Sequence, residues 1–190
     1  EARERIRDHV HQTPVITCQA LDELSGYQLF FKCENLQKVG AFKFRGATNA
    51  ILPLTEEQAA HGVVTHSSGN HAQAVALAAR SRGIAAHIVM PSNAPAIKRA
   101  AVEGYGARVI PCEPTLAARE STAAKVITET GASFIHPYND QRVIAGQGTT
   151  ALELLEQVSG LDAIITPVGG GGLVSGVSIA CRSLAPEIKI

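Results

Sequence analysis

Apolar positions along the chain change their rhythm near residue 62. Before it the pattern is irregular. Residues 2–10 read as a short polar helix, broken at Thr13-Pro14 because proline restricts the residue ahead of it. Val15–Thr17 reads as an edge strand, Gln19–Leu24 as a helix closed by Gly26, and the alternating, aromatic-rich Tyr27–Cys33 as a strand. A loop over Glu34–Gly40 leads to a helix over Phe44–Leu52, stopped near Pro53.

From Gly62 onward strands and helices alternate. Strands are expected at Val63–His66, Ile84–Met90, Ala107–Ile110, Ser133–Ile135 and the nearly all-apolar Ala163–Val168, the last as a buried strand of a parallel sheet. Between them, Asn70–Arg82 carries Ala72, Val75, Ala76 and Ala79 on one helical face, with Gly83 as its stop. Pro95–Glu103 is a second helix. Leu116–Thr130 turns Ala123, Val126 and Ile127 inward and stops at Gly131. Residues 141–158 form a helix with Ile144, Gly148, Leu152 and Leu155 along one stripe, and Leu173–Ser183 is a last helix. Glu187–Ile190 opens another strand, so the chain reads as the front part of a longer enzyme. The alternation predicts an α/β fold of open, twisted parallel sheets with flanking helices. Rhythm changes near residue 62 and at the polar turn Pro137–Asp140 place a small domain over 65–138, inserted into a large one formed by 1–64 and 139–190.

Composition narrows the function. Seventeen Lys plus Arg balance seventeen Asp plus Glu, so there is no nucleic-acid footprint. No apolar run is long enough to cross a bilayer, and Glu1–His9 has no signal-peptide character. Cys18, Cys33, Cys112 and Cys181 are far apart and lack zinc-site spacing with His. They read as ordinary thiols of a reducing, cytoplasmic compartment.

Three stretches could carry chemistry. Lys43 stands between Phe42 and Phe44 at a helix start, where apolar walls, with Arg45 and Lys38 close by, favour a neutral amine. Gly169-Gly170-Gly171-Gly172 follows an apolar segment and opens a helix, a setting in which backbone N–H groups converge on an anion. Ser67-Ser68-Gly69-Asn70-His71 offers hydroxyls and N–H groups at another helix start, a seat for a carboxylate. Each has a plainer reading: a solvated lysine, a tight packing turn, a serine N-cap. Arg119 could pair with a substrate carboxylate, although its spacing beside Glu120 favours solvent. His9, His11, His61, His87 and His136 show no ligand spacing and read as surface or core histidines. An amine, a phosphate cradle and a polar loop together suggest a pyridoxal-phosphate enzyme. A nicotinamide-binding alternative lacks G-x-G-x-x-G with its acidic ribose ligand.

The motifs F-K-F-R-G-A at 42–47, S-S-G-N-H at 67–71, A-G-Q-G-T at 145–149 and G-G-G-G-L at 169–173 carry a resemblance. Over essentially the whole chain it resembles the fold-type II (tryptophan synthase β-like) pyridoxal-phosphate enzymes, within them the serine racemases and the serine/threonine and 3-hydroxyaspartate dehydratases. The resemblance implies that Lys43 holds the cofactor covalently, Phe42 lies against its ring, Asn70 bonds its ring hydroxyl, and Gly169, Gly170, Gly171, Gly172 and Leu173 seat its phosphate. It implies Ser67, Ser68, Asn70, His71 and Arg119 as substrate-binding, and Ser68 as the acid/base group opposite Lys43. It further implies a homodimer acting on small β-hydroxy amino acids, with no nucleic-acid or membrane partner. A nucleotide effector is implied at Lys38, Lys98 and Tyr105, where Val39 departs from the usual threonine. The ring-nitrogen contact and any Mg2+ or Ca2+ ligands are expected beyond Ile190, leaving no metal site within this chain. The rivals are a dehydratase without racemase activity, a β-replacement synthase and a non-catalytic binding protein.

Overall fold

A computed structural model describes residues 1–190. Its helices are α1 (Ala2–Ile6), α2 (Gln19–Ser25), α3 (Lys43–Ile51), α4 (Glu56–His61), α5 (Asn70–Arg82), α6 (Ala96–Gly104), α7 (Leu116–Thr130), α8 (Gln141–Gln157) and α9 (Gly172–Leu184). Its strands are β1 (Val15–Ile16), β2 (Phe31–Lys32), β3 (Val63–His66), β4 (Ala86–Pro91), β5 (Arg108–Cys112) and β6 (Ser133–Phe134).

β3 to β6 form one parallel sheet in the order β5-β4-β3-β6. Because side chains alternate across a strand, Val63, Ile88 and Met90 pack with α5 and α6, while Val64 and Val89 pack with Ala123 and Val126 of α7 on the other face. The predicted inward faces of α5 and α7 are therefore the ones buried. Gly83 and Gly131 end these helices in the left-handed conformation, φ 74° and 73°. The chain steps outward from β3 to β5, then returns across β3 to place β6. That reversal leaves a crevice beyond the carboxyl ends of β3 and β6, where open α/β sheets bind ligands.

α8 is the spine of the other layer. Sequence alone suggests one apolar stripe through Ile144, Gly148, Leu152 and Leu155, but Ile144, Leu152 and Leu155 are only half-buried. The buried set instead includes Val143, Gly146, Gln147, Thr149, Glu153 and Leu154. The reason is that α8 lies between two helices. A Cβ on Gly146 would stand 2.6 Å from the Arg45 carbonyl of α3, and one on Gly148 would stand 2.7 Å from the Gly176 carbonyl of α9. We expect Gly176→Ala, whose Cβ would meet the Ile144 carbonyl at 2.4 Å and the Gly148 nitrogen at 2.6 Å, to force the two backbones apart. The cost is about 2–3 kcal/mol even after the gain in helix propensity, read as a fall of roughly 5–10 °C in thermal midpoint.

Two expected strands are corrected. Tyr27–Cys33 shrinks to β2, which pairs only with β1, antiparallel. Ala163–Val168 is not a strand: it makes one parallel bridge, Ala163 to Lys189, while Ile165 is 94 % and Val168 69 % exposed. An apolar run becomes a sheet strand only when neighbours occupy its edges, and here the pairing is limited to the hydrogen bonds of Ile164 and Asp162 with Lys189 on one side. All four cysteines are free thiols, with Cys33 and Cys181 buried. No helix is long and apolar enough to cross a membrane.

Candidate active site

Lys43 is the first residue of α3. The chain reaches it through a tight turn in which Val39 (φ 57°) and Gly40 (φ 68°) are left-handed, an unusual state for a β-branched residue. The amine donates to the Pro137 carbonyl at 2.6 Å and lies 5.4 Å from the centre of the Phe42 ring. Burial holds its pKa below the usual lysine range, the condition for an amine nucleophile or base. Neighbouring charge, expected from Arg45 and Lys38 to add to this effect, does not contribute, and burial is the cause. Arg45 is neutralised by Glu34 and Glu153, and Lys38 rests its ammonium 5.6 Å from the Phe44 ring.

The glycine loop opens α9 with no side-chain cap, and its N-cap Gly171 has φ 89°. The first-turn N–H groups therefore have no helical partner and point outward. A Cβ at Gly170 would lie 2.2 Å from the Tyr138 ring and one at Gly172 would lie 2.9 Å from the Tyr138 carbonyl, while one at Gly169 or Gly171 would meet nothing within 4 Å. The loop is pressed against Tyr138 on one side and open on the other. An open row of N–H groups at a thirteen-residue helix fits a phosphate.

The serine loop behaves similarly. α5 begins at Asn70 without a side-chain cap, since the Ser67 hydroxyl accepts the Gly69 N–H at 3.3 Å instead. The first-turn N–H groups of α5 stay free for an anion. The His71 side chain turns inward, and its Nε2–H donates to the Ile135 carbonyl at 3.1 Å. Nδ1 is then a buried acceptor without a partner, and burial pushes the imidazole pKa down to about 3. A neutral ring so placed has no proton to offer a carboxylate, so a carboxylate role for His71 falls to its backbone N–H.

One short turn, expected from the sequence only as a polar crossing between domains, touches two of these stretches and adjoins the third. His136 Nδ1 accepts the N–H groups of Tyr138 (3.2 Å) and Asn139 (2.8 Å), locking residues 136–139. Within that turn Pro137 holds the Lys43 amine and Tyr138 backs the glycine loop. His136 also sits edge-on to Phe134, 5.8 Å between ring centres, and Phe134 lies 5.4 Å from His66, the residue before Ser67. Only the position at the carboxyl end of β6 could have flagged it. Arg119, half-buried in the first turn of α7, is close enough to help lower the His66 pKa after burial and His136. Its Nε–H donates to the Thr115 carbonyl at 3.3 Å. Leu173 and Phe42 line a cavity of about 640 Å³ together with Thr150, Thr166, Pro167 and Val177. Lys98 is exposed on α6, Tyr105 stacks 5.2 Å from the Arg80 guanidinium, and Lys38 covers Phe44.

The family profile described as "Pyridoxal-phosphate dependent enzyme" matches residues 6–190. The chain is 58 % identical to a serine racemase of Arabidopsis thaliana, covering all of this chain and 57 % of that protein. It is 56 % identical to a beta-hydroxyaspartate dehydratase of Paracoccus denitrificans, covering all of this chain and 60 % of that protein. The crystal structure of serine racemase from Dictyostelium discoideum superposes with a TM-score of 0.95 at 54 % identity, covering 99 % of this chain and 61 % of that one. The chain thus spans about three fifths of the length of these relatives.

Proposed function

The chain belongs to the pyridoxal-phosphate dependent enzymes, and from that premise we propose that the protein racemises and dehydrates small β-hydroxy amino acids such as serine, threonine or 3-hydroxyaspartate. The observation that carries this reading is the 136–139 turn, which joins a half-buried lysine amine to an open helix N-terminus through Pro137 and Tyr138. In this reading the glycine loop holds the phosphate of the cofactor, Lys43 anchors it, Phe42 walls its ring and Asn70 bonds its hydroxyl. When bound, pyridoxal phosphate supplies an electron sink for the charge left at the α carbon.

The protein's own groups do the rest. The free N–H groups at the start of α5 seat the substrate carboxylate, and Arg119 adds a cation at their flank. The Lys43 amine, kept neutral by burial, takes the α proton. Ser68, assigned in this reading to the opposite face, returns it to give the enantiomer. Loss of the β-hydroxyl as water, followed by hydrolysis, yields a 2-keto acid and ammonia. A dehydratase specialised for 3-hydroxyaspartate is the second reading, favoured by the cation of Arg119, which could hold a second carboxylate. A division into a 65–138 domain and the remainder, a homodimer, and a nucleotide effector near Lys38, Lys98 and Tyr105 belong to the same proposal.

Ser68→Ala tests it. In the full-length enzyme with L-serine in heavy water, we expect proton NMR and chiral analysis to show racemisation reduced at least ~100-fold, with keto-acid formation from one enantiomer largely kept. Unchanged racemisation would remove Ser68 from the mechanism. No α-proton loss and no product from serine, threonine or 3-hydroxyaspartate in the unaltered enzyme would remove the reading itself.

A further inference from the structure

Arg45 is the largest fully buried side chain of the molecule. A buried guanidinium persists only when its donors are satisfied and its charge is balanced, and here both hold. Nε and Nη2 grip the two oxygens of Glu34 at 2.7 Å each, while Nη1 and Nη2 grip Glu153 at 2.6 and 2.8 Å. Thr149 Oγ1 and the His11 carbonyl accept the longer contacts at 3.3 and 3.4 Å. Lys32 closes the group, donating to Glu153, Gln157 and the Thr13 carbonyl at 2.7, 2.8 and 2.7 Å. Two cations and two carboxylates cancel, so the cluster places little net charge near Lys43.

The geometry concerns Lys43 directly. Two residues along an α-helix differ by about 200° in direction, so Arg45 holds the back of the first turn of α3 while Lys43 faces the site. Glu34 comes from the turn before α3 and Glu153 from α8. The Lys43 amine meets its acceptor on a third element, the 136–139 turn. Its aim therefore depends on how the first turn of α3 is held against its neighbours.

We propose that Arg45 is a positioning residue for Lys43: gripped by Glu34 and Glu153, it fixes the direction and burial of the amine toward Pro137. The inference rests on Lys43 being the cofactor lysine, and the test separates the two. In full-length protein, Arg45→Lys keeps the charge and loses both forks. Arg82→Ala serves as the control, because Arg82 caps the far end of the same helix through the Ile51, Leu52 and Leu54 carbonyls. The pH profile of Lys43 acylation is read by peptide mass spectrometry on cofactor-free protein, after circular dichroism confirms folding. His71 and His136 are the titratable neighbours whose charge couples to the amine, so the profile is taken above pH 7, where both are neutral.

In Arg45→Lys the midpoint should rise by about one unit toward an ordinary lysine, and capture of added pyridoxal phosphate should slow ~10–100-fold. Arg82→Ala should move neither. A wild-type midpoint and capture rate in Arg45→Lys, or equal shifts in both variants, would overturn the proposal. If Arg45→Lys does not fold, Glu34→Gln keeps the Glu153 fork but leaves one positive charge in excess, so it is read by the rate of pyridoxal-phosphate capture: a several-fold slowing is expected, and an unchanged rate would count against the clamp. A midpoint shift in a protein whose Lys43 captures no cofactor would sink the functional reading and leave the clamp standing.

Discussion

Lys43→Ala in the full-length enzyme should lower both racemisation and keto-acid formation by at least ~10⁴-fold, because it removes the cofactor's anchor and the base for the α proton together. The fold should survive. The amine is half-buried and makes one hydrogen bond, to Pro137, so its loss costs roughly 1 kcal/mol. A thermal midpoint within a few degrees of wild type would confirm that the lost turnover is chemical. Addition of a small primary amine should restore part of the α-proton exchange by supplying the missing base, and borohydride should no longer fix the cofactor to residue 43. Exchange in deuterated solvent within ~10-fold of wild type would show that another group takes the proton.

The second large effect is on stability against pH. His71 is held neutral by burial, with its pKa moved from 6.5 down to about 3. Above pH 6.5 folded and unfolded chains are both neutral at this ring, and its contribution is intact. Below that value the unfolded chain binds a proton that the native site refuses. Stability then falls by about 1.4 kcal/mol per pH unit until the native pKa is reached. His66, His87 and His136 are lowered in the same direction, mainly by burial, so the slope of wild type contains several rings. The difference between wild type and His71→Gln isolates one. Urea midpoints from pH 7 to 4 should fall less steeply in the variant. Parallel curves would mean that His71 is accessible to protons in the folded state. A neutral His71 also leaves the surroundings of the Lys43 amine uncharged in the pH range where that amine must give and take protons.

Much of this architecture is legible because it is local. Ala72, Val75, Ala76 and Ala79 announce the buried face of α5, and Gly83 and Gly131 announce where α5 and α7 stop, since a left-handed cap needs no partner from elsewhere. The three candidate stretches are legible for the same reason: Lys43 between rings, four glycines in a row and a hydroxyl-rich helix start are each defined within a few residues. What fails is non-local. Ala163–Val168 has the composition of a buried strand, but periodicity says which face is apolar, not which strands lie beside it. α8 carries Gln147, Thr149 and Glu153 inward because Arg45 and Gly46 meet them there, a pairing across about a hundred positions that no local window contains. The 136–139 turn reads as an unremarkable polar connection until the reversal of strand order brings it over the crevice.

The cancellation of charge around Arg45 has a consequence for how the protein meets its solvent. Arg3–Glu156 and Arg7–Glu4 tie the first helix through side chains that are about half exposed or more, and dissolved ions screen such pairs over about 8–10 Å. Arg45, Glu153 and Lys32 have side chains at most 10 % exposed, where mobile ions do not enter. Rising ionic strength therefore weakens the Arg3–Glu156 tie of the first helix to α8 before it reaches the buried cluster around Arg45. Lys43 is insulated from the ionic composition of its surroundings, and salt acts on the rim of the molecule before it reaches the interior around that amine.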